Sequence, residues 1–232
     1  MQKFNLSDRF PPVQSQRGLL SCVPIAFCDA VWWEIQRGRV PGVKADFKPS
    51  VQFVYYNARK REGEQNSNAP VPPSTVMEAL KEWGVCDVEL WPDETRLYRE
   101  RPPAEAYDEA VRMQDWRFEE VPQTMEGVRE CLKSETPFFF CLRFCRSNSW
   151  SFEGGEISRT GILTLPESNE TPFRNHAMLA VGLDEETERV QARNSYGPDW
   201  GSQGHVFIPL KYLLSRELGY ALWKLVPPPN EK

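Results

Sequence analysis

Histidine and paired cysteines are scarce in this sequence. Only 2 of its 232 residues are histidines, and no two of its 6 cysteines form a CxxC pair. A structural zinc site needs four Cys or His ligands at short spacing, so we predict no metal and no cofactor. Cys141 and Cys145 lie in one apolar run and are interpreted as small buried thiols, not as disulfide partners.

Long apolar runs and an excess of positive charge are also missing. No segment approaches the roughly 20 apolar residues needed to cross a bilayer, and the N-terminus lacks the apolar core of a secretion signal. The formal charge of −5 offers no basic field for nucleic acid or anionic lipid. We therefore expect a cytoplasmic protein with neither a nucleic-acid nor a membrane partner, and leave its oligomeric state open.

The first half of the chain has the spacing and the end signals of helices. Hydrophobic residues make up 40% of the sequence, which is enough to build a core. A Ser74 cap and a stop at Gly84 frame one of these helices. The predicted helices span residues 21–37, 49–62 and 73–85, with a short one near 104–112.

The second half reads as β structure, with exposed loops predicted at residues 63–73 and 146–160. The β-rich runs are WRFEEV, PFFFCLRF, HAMLAVGL, RVQARNSY, HVFIP and YALWKLV. We predict an α+β protein with a mainly helical lobe over residues 1–115 and a lobe over 116–232 built on a bent antiparallel sheet or barrel. Lobe interfaces favour binding pockets, so the site should draw on both halves.

Cys22 stands where turn-forming residues give way to an apolar, helix-length segment, QRGLLSCVPIAFCDAVWW. A helix start leaves N–H groups unpaired and carries partial positive charge, which biases a cysteine there toward the reactive thiolate. Pro24 fits the first helical turn. Cys22 is therefore a candidate nucleophile, with a small buried residue at a helix entrance as the alternative.

A histidine base must be His176 or His205, since the chain has no others. His176 opens the strand NHAMLAVGLD, whereas His205 has apolar strand neighbours and reads as an ordinary surface or half-buried ring. A thiol–imidazole pair needs a third group that orients the ring. Asn194 can do this through its side-chain carbonyl, with Tyr196 nearby to shield the bond. The alternative for Asn194 is a turn residue that ends a strand.

Three motifs in the order Cys, His, Asn resemble the papain family. PPVQSQRGLLSC is similar to the entry motif in which a glutamine precedes the nucleophilic cysteine by six residues, the place of Gln16. NHAMLAVG resembles the histidine motif. RNSYGPDWGSQGHVFIP resembles the asparagine motif, with Trp200 and Gly201 in matching positions. From about residue 11 to 226 the chain is similar to papain-like (C1 family) cysteine peptidases, in a compact bacterial-type branch without a propeptide.

This resemblance implies a two-lobe papain-like fold with the active site in the cleft, and hydrolysis of a peptide or protein substrate. Cys22, His176 and Asn194 would be catalytic, and the Gln16 amide would hold the oxyanion with the Cys22 N–H. Substrate-cleft candidates are Leu20, Val23, Asn68, Arg174, Asn175, Tyr196 and Trp200.

Several of these positions depart from the family pattern. Leu20 and Val23 stand where the family has a glycine and an aromatic residue, and Leu19 replaces a disulfide-forming cysteine. Asn68 or a neighbour replaces a substrate-binding glycine. Two other functions therefore stay open: a peptide-binding protein whose cleft is closed to catalysis, and an acyl transferase or transamidase that uses the same three residues.

Overall fold

The computed structural model describes residues 2–148 and 155–228. Their contacts form two compact units. The helical unit comprises residues 16–119 with the chain from 225 onward, and the β unit comprises the chain up to 15 with residues 120–224. The predicted division lay at 115/116 and assigned the first residues to the helical half. They belong to the β unit instead, because a short N-terminal strand pairs with its sheet.

Helices and strands follow the predicted order. The helices are α1 Cys22–Gln36, α2 Val51–Arg61, α3 Pro73–Trp83, α4 Ala104–Ala110, α5 Met125–Lys133, α6 Glu156–Thr160 and α7 Leu210–Leu214. The strands are β1 Lys3–Asn5, β2 Arg117–Glu120, β3 Phe138–Phe144, β4 Arg174–Asp184, β5 Arg189–Arg193, β6 His205–Pro209 and β7 Gly219–Val226. The α+β class is thereby confirmed.

The helical unit is centred on α1, whose residues are almost all buried. Such a helix is apolar around its circumference because other elements cover every side. The Ser50 side chain caps α2 by accepting a hydrogen bond from the Phe53 N–H at 3.1 Å. The predicted Ser74 cap of α3 is wrong: the helix begins at Pro73, whose fixed φ suits the first helical position.

The β unit is built on an antiparallel sheet. Its strands lie in the order β7-β3-β4-β5-β6, with β1 also paired to β4 and β2 next to β7 at the end of the sheet. β3 and β4 are buried along nearly their whole length, which explains their continuous apolar sequences. In the register of these two strands, Leu142 pairs with His176. In that of β4 and β5, Leu179 pairs with Arg193.

Four elements were not predicted: β1, α5, α6 and α7. β1 and α7 are only three and five residues long. The prediction overlooked α5 although it buries Val128, Cys131 and Leu132 at helical spacing, and α6 lies in the segment predicted as the loop 146–160. Residues 149–154 of that segment lie outside the described residues, and Glu156–Thr160 forms α6. The predicted loop 63–73 leaves α2 and reaches the start of α3 as non-helical chain.

The cysteines and the helix lengths agree with the composition. All six cysteines lie in the described part of the chain as thiols, with Cys141 and Cys145 buried as expected. No helix among the described residues is long and apolar enough to cross a bilayer. Within residues 2–148 and 155–228, no group of three His, Cys, Asp or Glu side chains is arranged to hold a metal ion.

Candidate active site

Cys22 is the first residue of α1, with Ser21 in the N-cap position. The Ser21 side chain makes no cap hydrogen bond, so the first N–H groups of the helix keep their donors for other partners. The backbone helix begins at once, since the Ile25 N–H donates to the Ser21 carbonyl at 3.0 Å. Cys22 is half-buried, whereas Cys28 further along α1 is buried. The geometry places a half-buried cysteine at the positive end of a helix.

A tight turn precedes Cys22. The Leu19 N–H donates to the Gln16 carbonyl at 2.9 Å, and the Gln16 side-chain amide donates to the Leu19 carbonyl at 2.5 Å. Both central residues, Arg17 and Gly18, have positive φ, at 45° and 81°. Positive φ is uncommon for a residue other than glycine, so Arg17 stores strain beside the candidate nucleophile.

The cleft candidates of the helical unit differ in exposure. The Leu20 side chain is 40% exposed, whereas Leu19 and Val23 are buried. Val23 therefore belongs to the core around α1. The Leu20 N–H donates to the Asn68 side-chain oxygen at 2.8 Å, so the backbone at position 20 is held by the loop after α2.

In the β unit, strand pairing brings His176 and Asn194 together. His176 is the third residue of β4, and Asn194 directly follows the neighbouring strand β5. The His176 Nε2 lies 2.6 Å from the Asn194 Oδ1. The amide oxygen only accepts, so Nε2 carries the proton and Nδ1 is the ring nitrogen with an acceptor lone pair. The third group expected from the sequence does bind the ring.

Two aromatic side chains pack beside this pair. The Tyr196 ring centroid lies 5.0 Å from that of His176, and Trp200 meets Tyr196 edge-on at 5.5 Å. Tyr196 is held by an isolated bridge to Ser15, which precedes the turn at Gln16 in the chain. The rings restrict water around the His176–Asn194 bond and strengthen it electrostatically.

Burial controls the protonation of His176. Removal from water lowers its pKa from 6.5 to about 4, because the charged imidazolium loses its hydration. The Asn194 hydrogen bond acts in the opposite direction, and the positive charge of the exposed Arg174 adds to the lowering. Asn175 is also exposed, so both residues before His176 face solvent. Burial therefore favours the neutral form of the ring.

His205 occupies a different environment from the one expected. It is buried in β6, not on the surface, and its Nδ1 donates to the Gln203 carbonyl at 2.9 Å. Burial lowers its pKa to about 4, with a smaller contribution from Arg193. No carboxamide among the described residues is hydrogen-bonded to its ring as Asn194 is to His176. His176 therefore remains the candidate base.

One contributor was missed by sequence reasoning. Tyr55 on α2 is fully buried and donates its hydroxyl to both the Asn68 Oδ1 and the Ala69 carbonyl, at 2.9 Å each. It belongs to a helical run that predicts core packing, and nothing in the local sequence distinguishes it from the other aromatic residues there, Phe53 and Tyr56. Its role becomes visible only in the folded structure, where its hydroxyl contacts the loop after α2.

Comparison with known proteins gives a consistent picture. No family model matches the chain. An uncharacterized peptidase C1-like protein of Acanthamoeba polyphaga mimivirus is 29% identical over 76% of this chain, and the match spans 58% of the viral protein.

Solved structures are similar over nearly the whole chain. The crystal structure of xylellain, a cysteine protease from Xylella fastidiosa, matches 97% of this chain and 85% of its own with a TM-score of 0.84 at 27% identity. Digestive procathepsin L 3 of Tenebrio molitor matches 95% of this chain and 69% of its own at TM-score 0.64 and 15% identity. The match to a Carica candamarcensis cysteine protease in complex with E-64 covers 100% of this chain and 100% of that protein, at TM-score 0.64 and 17% identity. The last two share the fold alone. By its fold and over nearly its whole length, the chain is thus similar to papain-like, C1-type cysteine peptidases.

Proposed function

We propose that this protein hydrolyses peptide bonds with Cys22 as nucleophile, His176 as base and acid, and Asn194 as the group that orients the ring. The observation that carries the proposal is the 2.6 Å bond between the His176 Nε2 and the Asn194 Oδ1. In this proposal the bond favours the tautomer in which Nδ1 is the nitrogen that accepts a thiol proton. The half-buried sulfur at the start of α1 supplies the nucleophile.

Proton transfer is the first step of the proposed reaction. The Cys22 Sγ–H gives its proton to the His176 Nδ1, which produces a thiolate and an imidazolium. Burial alone disfavours the imidazolium, as the pKa of about 4 for His176 indicates. A thiolate partner offsets that penalty, so the two groups ionise as a pair. The α1 N-terminus stabilises the sulfur charge.

The chemistry at the substrate then follows two half-reactions. The thiolate attacks the scissile carbonyl carbon, and the carbonyl oxygen becomes an oxyanion that accepts from the Gln16 amide and the Cys22 N–H. Collapse breaks the C–N bond, with the leaving amine taking the proton from His176 and a thioester remaining on Cys22. Water, deprotonated by His176, cleaves the thioester and restores the thiol.

The proposal is tested with the epoxide E-64 and mass spectrometry. We expect one added inhibitor per chain, on Cys22, and loss of both labelling and cleavage of a peptide library in Cys22→Ala. Cys28→Ala is the matched control, because Cys28 lies in the same helix with its pKa raised well above its usual value by burial. That variant should label and cleave like the parent.

Other outcomes assign other functions. Tight peptide binding without turnover, together with failure of thiol-directed probes to label Cys22 under reducing conditions, would contradict the proposal and favour a binding protein. Products that incorporate an added amine in place of water would indicate acyl transfer by the same thioester.

A further inference from the structure

The Asn68 side chain joins the loop after α2 to the turn before Cys22. The Asn68 Oδ1 accepts from the Leu20 N–H at 2.8 Å and from the Tyr55 hydroxyl at 2.9 Å. Its Nδ2 donates to the Gly18 carbonyl at 3.1 Å. The Asn68 carboxamide thus acts as donor and acceptor at the same time, and it links the backbone of Gly18 to that of Leu20.

Asn68 is itself solvent-exposed but rests on a buried support. Tyr55 is fully buried on α2, and the Arg59 guanidinium lies over its ring at 4.0 Å. Arg59, also fully buried, donates to the Gln65 and Ser67 carbonyls at 2.9 and 2.6 Å. The loop is therefore fixed to α2 on both sides of Asn68, and an amide carried on a fixed loop holds its partners in one place.

The turn formed by residues 16–19 has a strained backbone that other residues must hold in place. Arg17 and Gly18 both have positive φ, and such a strained turn persists only where its surroundings fix it. Leu20 is separated from Cys22 only by Ser21, the N-cap of α1. The carbonyl of Leu19, between the two points that Asn68 holds, accepts from the Gln16 amide. A shift of this turn would therefore move both the start of α1 and the proposed oxyanion donor.

The charge of Cys22 also influences the pKa of Tyr55. Burial raises the pKa of Tyr55 to about 12, the Arg59 charge lowers it, and a charge on Cys22 raises it further. Through the Asn68 Oδ1 and the Leu20 N–H, the buried phenol is linked by hydrogen bonds to the backbone two residues before the nucleophile.

We propose that Asn68 is a positioning residue of the peptidase: by holding Gly18 and Leu20 against α2, it sets the backbone on which Cys22 and the Gln16 amide are placed. Its carboxamide is occupied by these contacts within the chain, so it acts on the reaction through the turn and not by binding substrate. The inference rests on the proposed function for its effect on the rate, but the contact itself is testable without activity.

Amide hydrogen exchange tests the contact. In a Cys22→Ser background, which removes the nucleophile, we expect Asn68→Ala to accelerate exchange of the Leu20 amide at least tenfold. Asn68→Asp keeps the accepting oxygen and should preserve most of the protection. Ser67→Ala is the control from the same loop, since the Ser67 hydroxyl bonds only within the loop, to Glu64. An unchanged Leu20 exchange rate in Asn68→Ala would overturn the proposal.

Steady-state kinetics test the effect on the reaction. In the enzyme with Cys22 intact, Asn68→Ala should lower kcat about tenfold with KM changed less than threefold, and Tyr55→Phe should lower kcat in the same direction by less. Asn68→Asp should recover part of the loss, and Ser67→Ala should leave both constants unchanged. A rise in KM at constant kcat would instead make Asn68 a substrate-binding residue and would refute positioning. Absence of turnover in the unsubstituted enzyme would refute the proposed function, while the exchange experiment would still decide whether the contact exists.

Discussion

At position 176, burial and a hydrogen bond act on the imidazole in opposite directions. Burial holds the ring neutral, and the Asn194 carbonyl favours a proton on Nε2. The arrangement leaves one unfavourable group: the Nδ2 of Asn194 is buried without a hydrogen-bond partner among the described residues. An unpaired buried N–H lowers stability, and such groups in native proteins call for a functional reason. Orientation of the His176 ring supplies one.

The roles of these two residues predict a separation of activity from stability. His176→Ala should lower kcat/KM by about 10³-fold, because a general base contributes roughly 10²–10⁴-fold. Asn194→Ala should lower it by about 10- to 100-fold. The free energy of unfolding of Asn194→Ala should change by less than about 1 kcal/mol, since the loss of one hydrogen bond is offset by removal of an unpaired N–H.

Peptidase assays and urea denaturation measure the two quantities. His205→Gln is the matched control, because it changes the other histidine and leaves the proposed triad intact. Equal losses of activity in His176→Ala and His205→Gln would contradict the assignment of the base.

At the scale of elements, the end of α3 depends on a glycine. Gly84 has φ 69° and ψ −147°, a conformation nearly restricted to glycine. A Cβ at this position would lie 2.1 Å from the Ala110 carbonyl oxygen and 2.6 Å from that of Met113. The end of α4 and the turn that follows it therefore pack directly on the backbone at the end of α3, where a side chain has no room.

A pair of glycine substitutions separates backbone strain from this close approach. Gly84→Ala should lower the free energy of unfolding by about 3 kcal/mol or more, from strain and overpacking together. Gly63→Ala should cost only about 1–2 kcal/mol, because Gly63 has a similar φ of 75° but no atom within 4 Å of the added Cβ. Urea denaturation of both variants gives the comparison, and equal losses would show that packing at Gly84 contributes nothing.

At the scale of the whole molecule, both histidines are buried with lowered pKa values, which links stability to pH. Each has a pKa near 4 in the folded chain, against 6.5 for an ordinary histidine. As pH falls below about 6.5 the unfolded chain takes up these protons, and the folded chain does so only near pH 4. The unfolded state thus binds more protons in this window, so stability falls as the pH falls.

Between pH 7 and pH 5, each histidine should lower the free energy of unfolding by about 2 kcal/mol. If His176 pairs with a Cys22 thiolate, the contribution of His176 to this loss disappears. Urea denaturation at the two pH values measures the free energy of unfolding. His205→Gln should show a smaller loss than the parent chain by about 2 kcal/mol. An identical loss in both would mean that His205 is protonated in the folded protein as readily as in the unfolded one.

The sequence by itself determined most of the longer elements and the order of the candidate residues, because both depend on short-range patterns. Helix ends at Gly84 and at the Cys22 junction, and the β-rich runs that became β3 to β7, follow from local sterics and from alternation along the chain. The three papain-like motifs likewise lie in continuous segments. These features do not depend on what packs against them.

Only the tertiary structure decided the contacts that join distant segments. The pairing of β1 with β4, the burial of His205 and the bond of His176 to Asn194 depend on strand register, which no local pattern encodes. The links from Asn68 to Leu20 and to Gly18 join positions 48 and 50 residues apart. Such contacts contribute free energy only after the chain has closed the loops between the two segments. The sequence alone therefore indicated Asn68 as a candidate residue but could not show that it contacts Leu20 and Gly18.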